Sequence, residues 1–185
     1  MTPPLIADAP TSSAHSEVAA SSTFAFDASS RFGDHAPPAT TLRTEPRSGD
    51  VRAVEGILRA TGFFSDEEVD VARQIVEERL RDGATSDYAM IFADDGTGTL
   101  VGYVCFGRII FTRSSYDVYW IAVDPDLQGG GVGQRLLREA EAAVAARGGT
   151  QLFIETAGRE QYAPTHRFYE RLGFVRSHEG FKLRF

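Results

Sequence analysis

The chain of 185 residues is long enough for one folded domain with one core. Its formal net charge of -7 disfavours binding to a phosphate backbone, so we expect no nucleic-acid partner, and its apolar fraction of 42% is typical of globular proteins. No apolar run is long enough to span a bilayer, and the single cysteine, Cys105, excludes an internal disulfide or a cysteine-based zinc site, so we expect no membrane partner and no metal.

The first part of the chain, residues 1–40, differs in composition from the rest. It is rich in Ala, Ser, Thr and Pro and has no helical or strand periodicity. We predict a disordered tail, because so little apolar surface cannot offset the entropy lost on ordering. The segment has neither the basic start and apolar run of a secretory signal nor the acid-poor composition of a transit peptide, so we expect a cytoplasmic protein. The folded domain is expected over residues 41–185.

The domain is predicted to open with a short edge strand at 42–44 and a helix over 50–62, whose apolar residues recur at helical spacing. A capping box, with Ser65 as the cap and Glu68 as its partner, predicts a second helix that runs to about Arg81. The glycine that follows is a common signal for a helix end.

The middle of the domain changes to strand periodicity. We predict strands over 88–93, 99–106 and 116–123, followed by a glycine-rich loop and a helix over about 131–147. Cys105 lies inside the second of these strands and is interpreted as a small core residue.

The last part is predicted to hold an apolar strand at 152–154, a helix near Pro164 that ends before Gly173, and two short strands at 174–176 and 181–185. The order βααβββαβαββ predicts an α/β protein of the α+β type. Its central sheet is mixed and mostly antiparallel, and helices cover both faces.

The glycine-rich loop lies between a strand and a helix, where unpaired backbone N–H groups and the helix dipole attract anions. A Walker-type loop is disfavoured because Lys182 is the only lysine in the chain. A dinucleotide fingerprint is disfavoured because Gln134 stands where its third glycine belongs. A plain turn without a ligand remains an alternative, although four glycines between 129 and 133 carry an entropic cost that such a turn does not require.

Two segments together carry a resemblance to a known family. The loop reads Q-x-x-G-x-G after the strand sequence IAVDP, and the segment 168–174 reads FYERLGF. Both resemble the GCN5-related N-acetyltransferases (GNAT), over roughly residues 42–176. The resemblance implies that the loop holds the pyrophosphate of acetyl-CoA and that the strand backbone aligns its pantetheine arm. The implied loop residues are Gln128, Gly129, Gly130, Gly131, Val132, Gly133 and Gln134, and the implied strand residues are Ile121, Ala122 and Val123.

The resemblance also implies a reaction, in which an amine attacks acetyl-CoA directly in a ternary complex. The family's acid is a Tyr in the second segment, here Tyr169, which gives a proton to the leaving thiolate. Some family members carry a Glu as base on the strand before the loop, but Tyr119 occupies that position. Asp117 and Glu155 are the candidate bases, and an ordered water without a dedicated base is a third possibility.

The acceptor is expected to contact Phe63, Phe64 and the segment 108–115, and to be a small molecule or a peptide with a primary amine. Because only a short hairpin follows FYERLGF, the acceptor side is expected to be open or completed by a second subunit in a homodimer. The alternative function is a non-catalytic acyl-CoA-binding or regulatory module on the same fold.

Overall fold

A computed structural model describes residues 39–156, 162–177 and 180–184 of the chain. Within these residues the order of strands and helices is the predicted one. The predicted disordered tail lies outside the described residues, apart from its last two positions. One of them, Thr40, is buried and accepts hydrogen bonds from the Arg135 side chain, which attaches the start of the domain to a later helix.

The elements have the following bounds. The strands are β1 Thr41–Arg43, β2 Tyr88–Asp94, β3 Leu100–Arg108, β4 Ser115–Val123, β5 Gln151–Ile154, β6 Val175–Ser177 and β7 Gly180–Arg184. The helices are α1 Asp50–Thr61, α2 Asp66–Asp82, α3 Val132–Ala146 and α4 Ala163–Arg171. None of the described helices has the length and apolar character that crossing a membrane requires.

The strands form one seven-stranded sheet in the order β1-β2-β3-β4-β5-β7-β6. Among the described strand pairs, β4 and β5 are the parallel one, and the others are antiparallel. This confirms the predicted mixed and mostly antiparallel sheet. The parallel pair arises because α3 returns the chain from the end of β4 to the start of β5.

Two buried clusters pack against the two faces of the sheet, which confirms helices on both sides. One face holds the apolar stripes of α3 and α4, including Leu136 and Phe168. The other holds those of α1 and α2, including Leu58 and Val76. Cys105 is 1% exposed in this second cluster, and burial raises the pKa of its thiol, so it is the predicted core residue.

The predicted capping box fixes the start of α2. The Glu68 N–H donates to Ser65 Oγ at 3.2 Å, and the Ser65 N–H donates to Glu68 Oε2 at 2.7 Å. Two otherwise unpaired N–H groups are thereby satisfied at the helix start. The cap also sets where the loop 62–64 ends, between α1 and α2.

A buried ion-pair network that the sequence does not reveal ties β1 to α1 and β2. The Arg43 guanidinium donates to Asp50 at 2.7 Å and to Asp94 at 2.8 Å, and all three side chains are at most 13% exposed. The guanidinium carbon also lies 4.5 Å from the centre of the Phe92 ring. Removal of Arg43 would leave two buried carboxylates without this shared partner, which is a costly arrangement.

Arg43→Ala is therefore expected to lower the free energy of unfolding by about 3–5 kcal/mol. Urea unfolding followed by circular dichroism measures this change. Arg59→Ala is the matched control, because the Arg59 side chain is 46% exposed and its ion pairs lie at the surface. Equal losses in the two variants would show that the Arg43 network does not stabilise the fold.

Candidate active site

The sheet opens between its two parallel strands. β4 pairs with β3 over residues 116–123, but it pairs with β5 only from Ser115 to Val118. Residues 119–123 therefore continue past the β4–β5 ladder. Backbone donors and acceptors at such an edge can bind an extended ligand as a neighbouring strand would.

A β-bulge lies where this opening begins. The register with β3 passes from Trp120 opposite Cys105 to Val118 opposite Phe106, which leaves Tyr119 as the extra residue. Tyr119 and Trp120 consequently face the α1/α2 side together, whereas Ile121 faces the α3/α4 side. A bulge turns the strand and redirects its side chains, and here it does so next to the opening.

The loop between β4 and α3 is held against the end of the strand. The Gln128 side-chain amide donates to the Val123 carbonyl at 3.2 Å. Gly129 and Gly131 have φ angles of 79° and 82°, a left-handed conformation that favours glycine. The loop thus brings the start of α3 directly to the end of the opening.

The N-terminus of α3 has the properties of an anion site. Its first helical hydrogen bond runs from the Arg135 N–H to the Gly131 carbonyl at 3.0 Å. The N–H groups of Val132, Gly133 and Gln134 therefore precede the helical ladder, and the helix dipole adds positive character there. A Cβ placed on Gly131, the residue that caps α3, would meet no atom within 4 Å, so the space beside this cap is open.

Tyr169 lies on α4 and is completely buried, at 0% exposure. Its ring centre is 5.4 Å from that of Phe168 and 5.8 Å from that of Phe174. It belongs to the same cluster as Val118 and Ile154, the last paired residues of β4 and β5. Burial raises the pKa of Tyr169, so its phenol stays protonated at neutral pH.

Asp117 and Glu155 lie close together where the two strands separate. Asp117 is in register with Phe153, and Glu155 lies two residues further along, so both carboxylates are placed on one face. Partial burial, and then the charge of Glu155, raise the pKa of Asp117 to about 6. The structure thus brings together the two residues that the sequence offered as alternative candidates for the base.

Aromatic side chains border this face. The Phe63 ring, 39% exposed in the α1–α2 loop, lies 6.0 Å from that of Tyr162 at the start of α4, whereas Phe64 packs against the core. Tyr88 and Tyr119 meet edge to face at 5.5 Å. Tyr162 and the bulge are features that sequence reasoning missed, because neither a ring contact between distant residues nor an extra strand residue leaves a local signal.

The residues of segment 108–115, which were predicted to contact the acceptor, lie in two different places. Arg108 and Arg113 are exposed near the tip of the β3–β4 hairpin, away from the loop at the other end of β4. Ser115 begins the paired part of β4. The described residues contain no group of three or more His, Cys, Asp or Glu side chains that could hold a metal ion.

Comparison with protein families gives a match over this region. Residues 86–176 match a family model described as an acetyltransferase (GNAT) domain. A solved structure from Desulfovibrio desulfuricans, assigned to the GNAT family of acetyltransferases, is 38% identical, with a TM-score of 0.74. The match covers 79% of this chain and 99% of that one.

Two curated proteins are also similar in sequence. Mycothiol acetyltransferase from Actinosynnema mirum is 29% identical over 143 residues, which cover 76% of this chain and 46% of that protein. The N-alpha-acetyltransferase RimI from Mycobacterium tuberculosis is 41% identical over 80 residues, which cover 43% of this chain and 48% of that protein. The chain therefore spans about half the length of the curated relatives it matches.

Proposed function

The chain belongs to the GNAT family of acetyltransferases, and from this premise we propose that it transfers the acetyl group of acetyl-CoA to a primary amine. One observation carries the proposal. The opening along β4 leads from the anion site at the start of α3 to the place where Asp117 and Glu155 lie together. A ligand with an anionic end and a reactive end fits such a track.

In this proposal the anionic end is the coenzyme pyrophosphate. The N–H groups of Val132, Gly133 and Gln134 bind it, and the glycines before them allow close approach. The pantetheine arm lies beside Ile121, Ala122 and Val123 and bonds to their backbone. One strand N–H at the opening stabilises the oxyanion that forms on the thioester carbonyl.

The reaction is direct attack by the amine nitrogen on the thioester carbonyl carbon. The acceptor arrives as an ammonium ion and gives one proton to Asp117, which returns it to solvent. A carbon–nitrogen bond forms, the carbon–sulfur bond breaks, and the electron pair remains on sulfur. Tyr169 then protonates the thiolate, and the second proton lost by the nitrogen restores Tyr169 through solvent.

Asp117 is preferred to Glu155 as the base because the raised pKa, about 6, suits proton transfer near neutral pH. The Glu155 charge contributes to that pKa, so Glu155 acts through Asp117. At pH 7–8 Asp117 is mostly ionised and can accept a proton. Because its pKa is higher than that of an ordinary aspartate, Asp117 is also the stronger base.

The names of the curated relatives indicate only a broad class of acceptor. RimI is described as an N-alpha-acetyltransferase and the other curated relative as a mycothiol acetyltransferase. Both names describe acetyl transfer, and they differ in the acceptor. The proposal therefore covers amines of small molecules and of peptides.

A panel of amines tests the proposal. Amino acids, amino-acid amides, polyamines, aminoglycosides and peptides are each incubated with acetyl-CoA and the protein. Free coenzyme A and acetylated amine are then quantified by mass spectrometry. We expect equal amounts of both products from at least one amine. Tight acetyl-CoA binding without acetylation of any amine would instead favour a non-catalytic acyl-CoA-binding module.

Tyr169→Phe tests the proposed acid, because it removes only the hydroxyl from a buried ring. We expect kcat to fall by about 10- to 100-fold, as loss of general acid catalysis does, while the Kd for acetyl-CoA changes little. Steady-state kinetics and calorimetric titration measure the two quantities. Tyr162→Phe, on a residue outside the proposed chemistry, is the matched control, and an unchanged kcat for Tyr169→Phe would remove Tyr169 from the mechanism.

A further inference from the structure

Trp120 occupies a particular position in β4. The bulge at Tyr119 places Trp120 on the α1/α2 face, within the stretch 119–123 that runs past the β4–β5 pairing. Asp117, which precedes the bulge, lies on the same face as Tyr119, and its charge contributes to the raised pKa of Tyr119. Trp120 therefore lies on the same face as Asp117, in the part of β4 that runs past the β4–β5 pairing.

The indole nitrogen of Trp120 is a buried donor. The residue is 4% exposed, and its Nε1–H has no hydrogen-bond acceptor among the described residues. A buried donor without an acceptor destabilises the fold, because it has lost its hydrogen bonds to water. Such a group in a native fold calls for an explanation, and a ligand that supplies the acceptor is one.

The Trp120 indole N–H and its surroundings indicate which kind of group would accept its hydrogen bond. An indole N–H can only donate, so the partner must present an acceptor such as a carbonyl or carboxylate oxygen. Asp117 and Glu155 are placed together on the same face, and their negative charges oppose a carboxylate there. A neutral carbonyl oxygen fits both conditions.

We propose that Trp120 selects the acceptor, with its indole N–H donating to a carbonyl oxygen that lies beside the reacting amine. The acceptor class is then an α-amino carbonyl compound, such as an amino-acid amide or the N-terminus of a peptide. This inference rests on the proposed acetyl transfer. It adds a specificity residue that neither the loop nor FYERLGF contains.

The test uses the fact that Trp120 is the only tryptophan in the chain. Biosynthetic replacement of tryptophan by β-(benzothiophen-3-yl)alanine exchanges the N–H for sulfur and keeps the shape. Alanine amide and sec-butylamine are compared as acceptors, because both are branched amines and only the amide has a carbonyl. We expect the ratio of their kcat/KM values to fall about 5- to 10-fold in the substituted protein, through KM for alanine amide.

Two variants support this test. Trp120→Phe, which also lacks the N–H, should shift the ratio in the same direction. Tyr103→Phe is the matched control, because the Tyr103 hydroxyl is also buried and has no hydrogen-bond partner among the described residues, and its ring stacks on Phe92 of β2. We expect Tyr103→Phe to leave the ratio unchanged.

The outcomes separate this inference from the proposed function. One outcome is that the wild type acetylates both amines with a ratio of kcat/KM values that does not change when the N–H is removed. In that case the role of Trp120 is wrong, and the proposed acetyl transfer is supported. If the wild type acetylates neither amine, the proposed transfer to them fails. Calorimetric titration with alanine amide in the presence of coenzyme A then decides. Saturable binding that is weakened by N–H removal supports the role of Trp120, and no binding contradicts it.

Discussion

Asp117→Asn is expected to lower kcat/KM for the amine by about 100- to 1,000-fold at pH 8, the contribution typical of a positioned general base. The amide has nearly the shape of the carboxylate and cannot accept the proton. In the wild type, kcat/KM should fall about tenfold per pH unit below the Asp117 pKa of about 6, because protonation removes the base. Initial rates across pH 5–9 measure both effects, and the variant should lose the inflection near pH 6.

A measurement of the stability of Asp117→Asn distinguishes a loss of catalysis from a loss of folding. The pKa of Asp117 is raised in the folded state, so its ionised form opposes folding once the pH exceeds about 6. Asp117→Asn should therefore be at least as stable as the wild type at pH 8. Asp87→Asn, on an exposed carboxylate that also influences Tyr119, is the matched control. Wild-type kinetics in Asp117→Asn would exclude Asp117 as the base.

Gly131→Asp is expected to weaken acetyl-CoA binding by at least about 100-fold. The added carboxylate would lie at the start of α3, where we place the pyrophosphate. Two unit charges about 5 Å apart repel by about 3 kcal/mol at an effective dielectric constant of about 20, which corresponds to about 100-fold in Kd. Calorimetric titration with acetyl-CoA measures the change.

Gly131→Asn is the matched control for this charge. Both substitutions place a similar side chain at a φ of 82°, where Asn and Asp are the best tolerated non-glycine residues, and both enter space that no atom occupies within 4 Å of the Cβ. The neutral variant should retain most of the affinity. Equal affinities in the two variants would mean that no anion binds at Gly131.

The sequence predicted the elements well wherever a period or an end signal was strong. The buried stripe of α3, from Val132 to Val144, and the capping box at Ser65 and Glu68 appear as predicted. Element bounds shifted by one or two residues, as in β3, which was predicted over 99–106 and spans Leu100–Arg108. The tail, the cytoplasmic location and the homodimer stay predictions.

The site was predictable in part, for a physical reason. The loop 128–134 and the segment FYERLGF are contiguous motifs, and strand alternation was enough to place Asp117 on the same side as Tyr119. The bulge at Tyr119, which turns Trp120 to that same side, depends on pairing with β3 and has no contiguous signal. The Arg43 network likewise joins residues 51 positions apart.

The central claim is that the start of α3 and the open edge of β4 form one binding track for acetyl-CoA. Titration of the isotope-labelled protein with acetyl-CoA, followed through backbone amide chemical shifts, tests it most directly. We predict the largest shifts at Val132, Gly133 and Gln134, then along 119–123, with little change at the hairpin tip 109–114. Saturable binding that leaves the amides of 119–123 and 132–134 unmoved would contradict the claim.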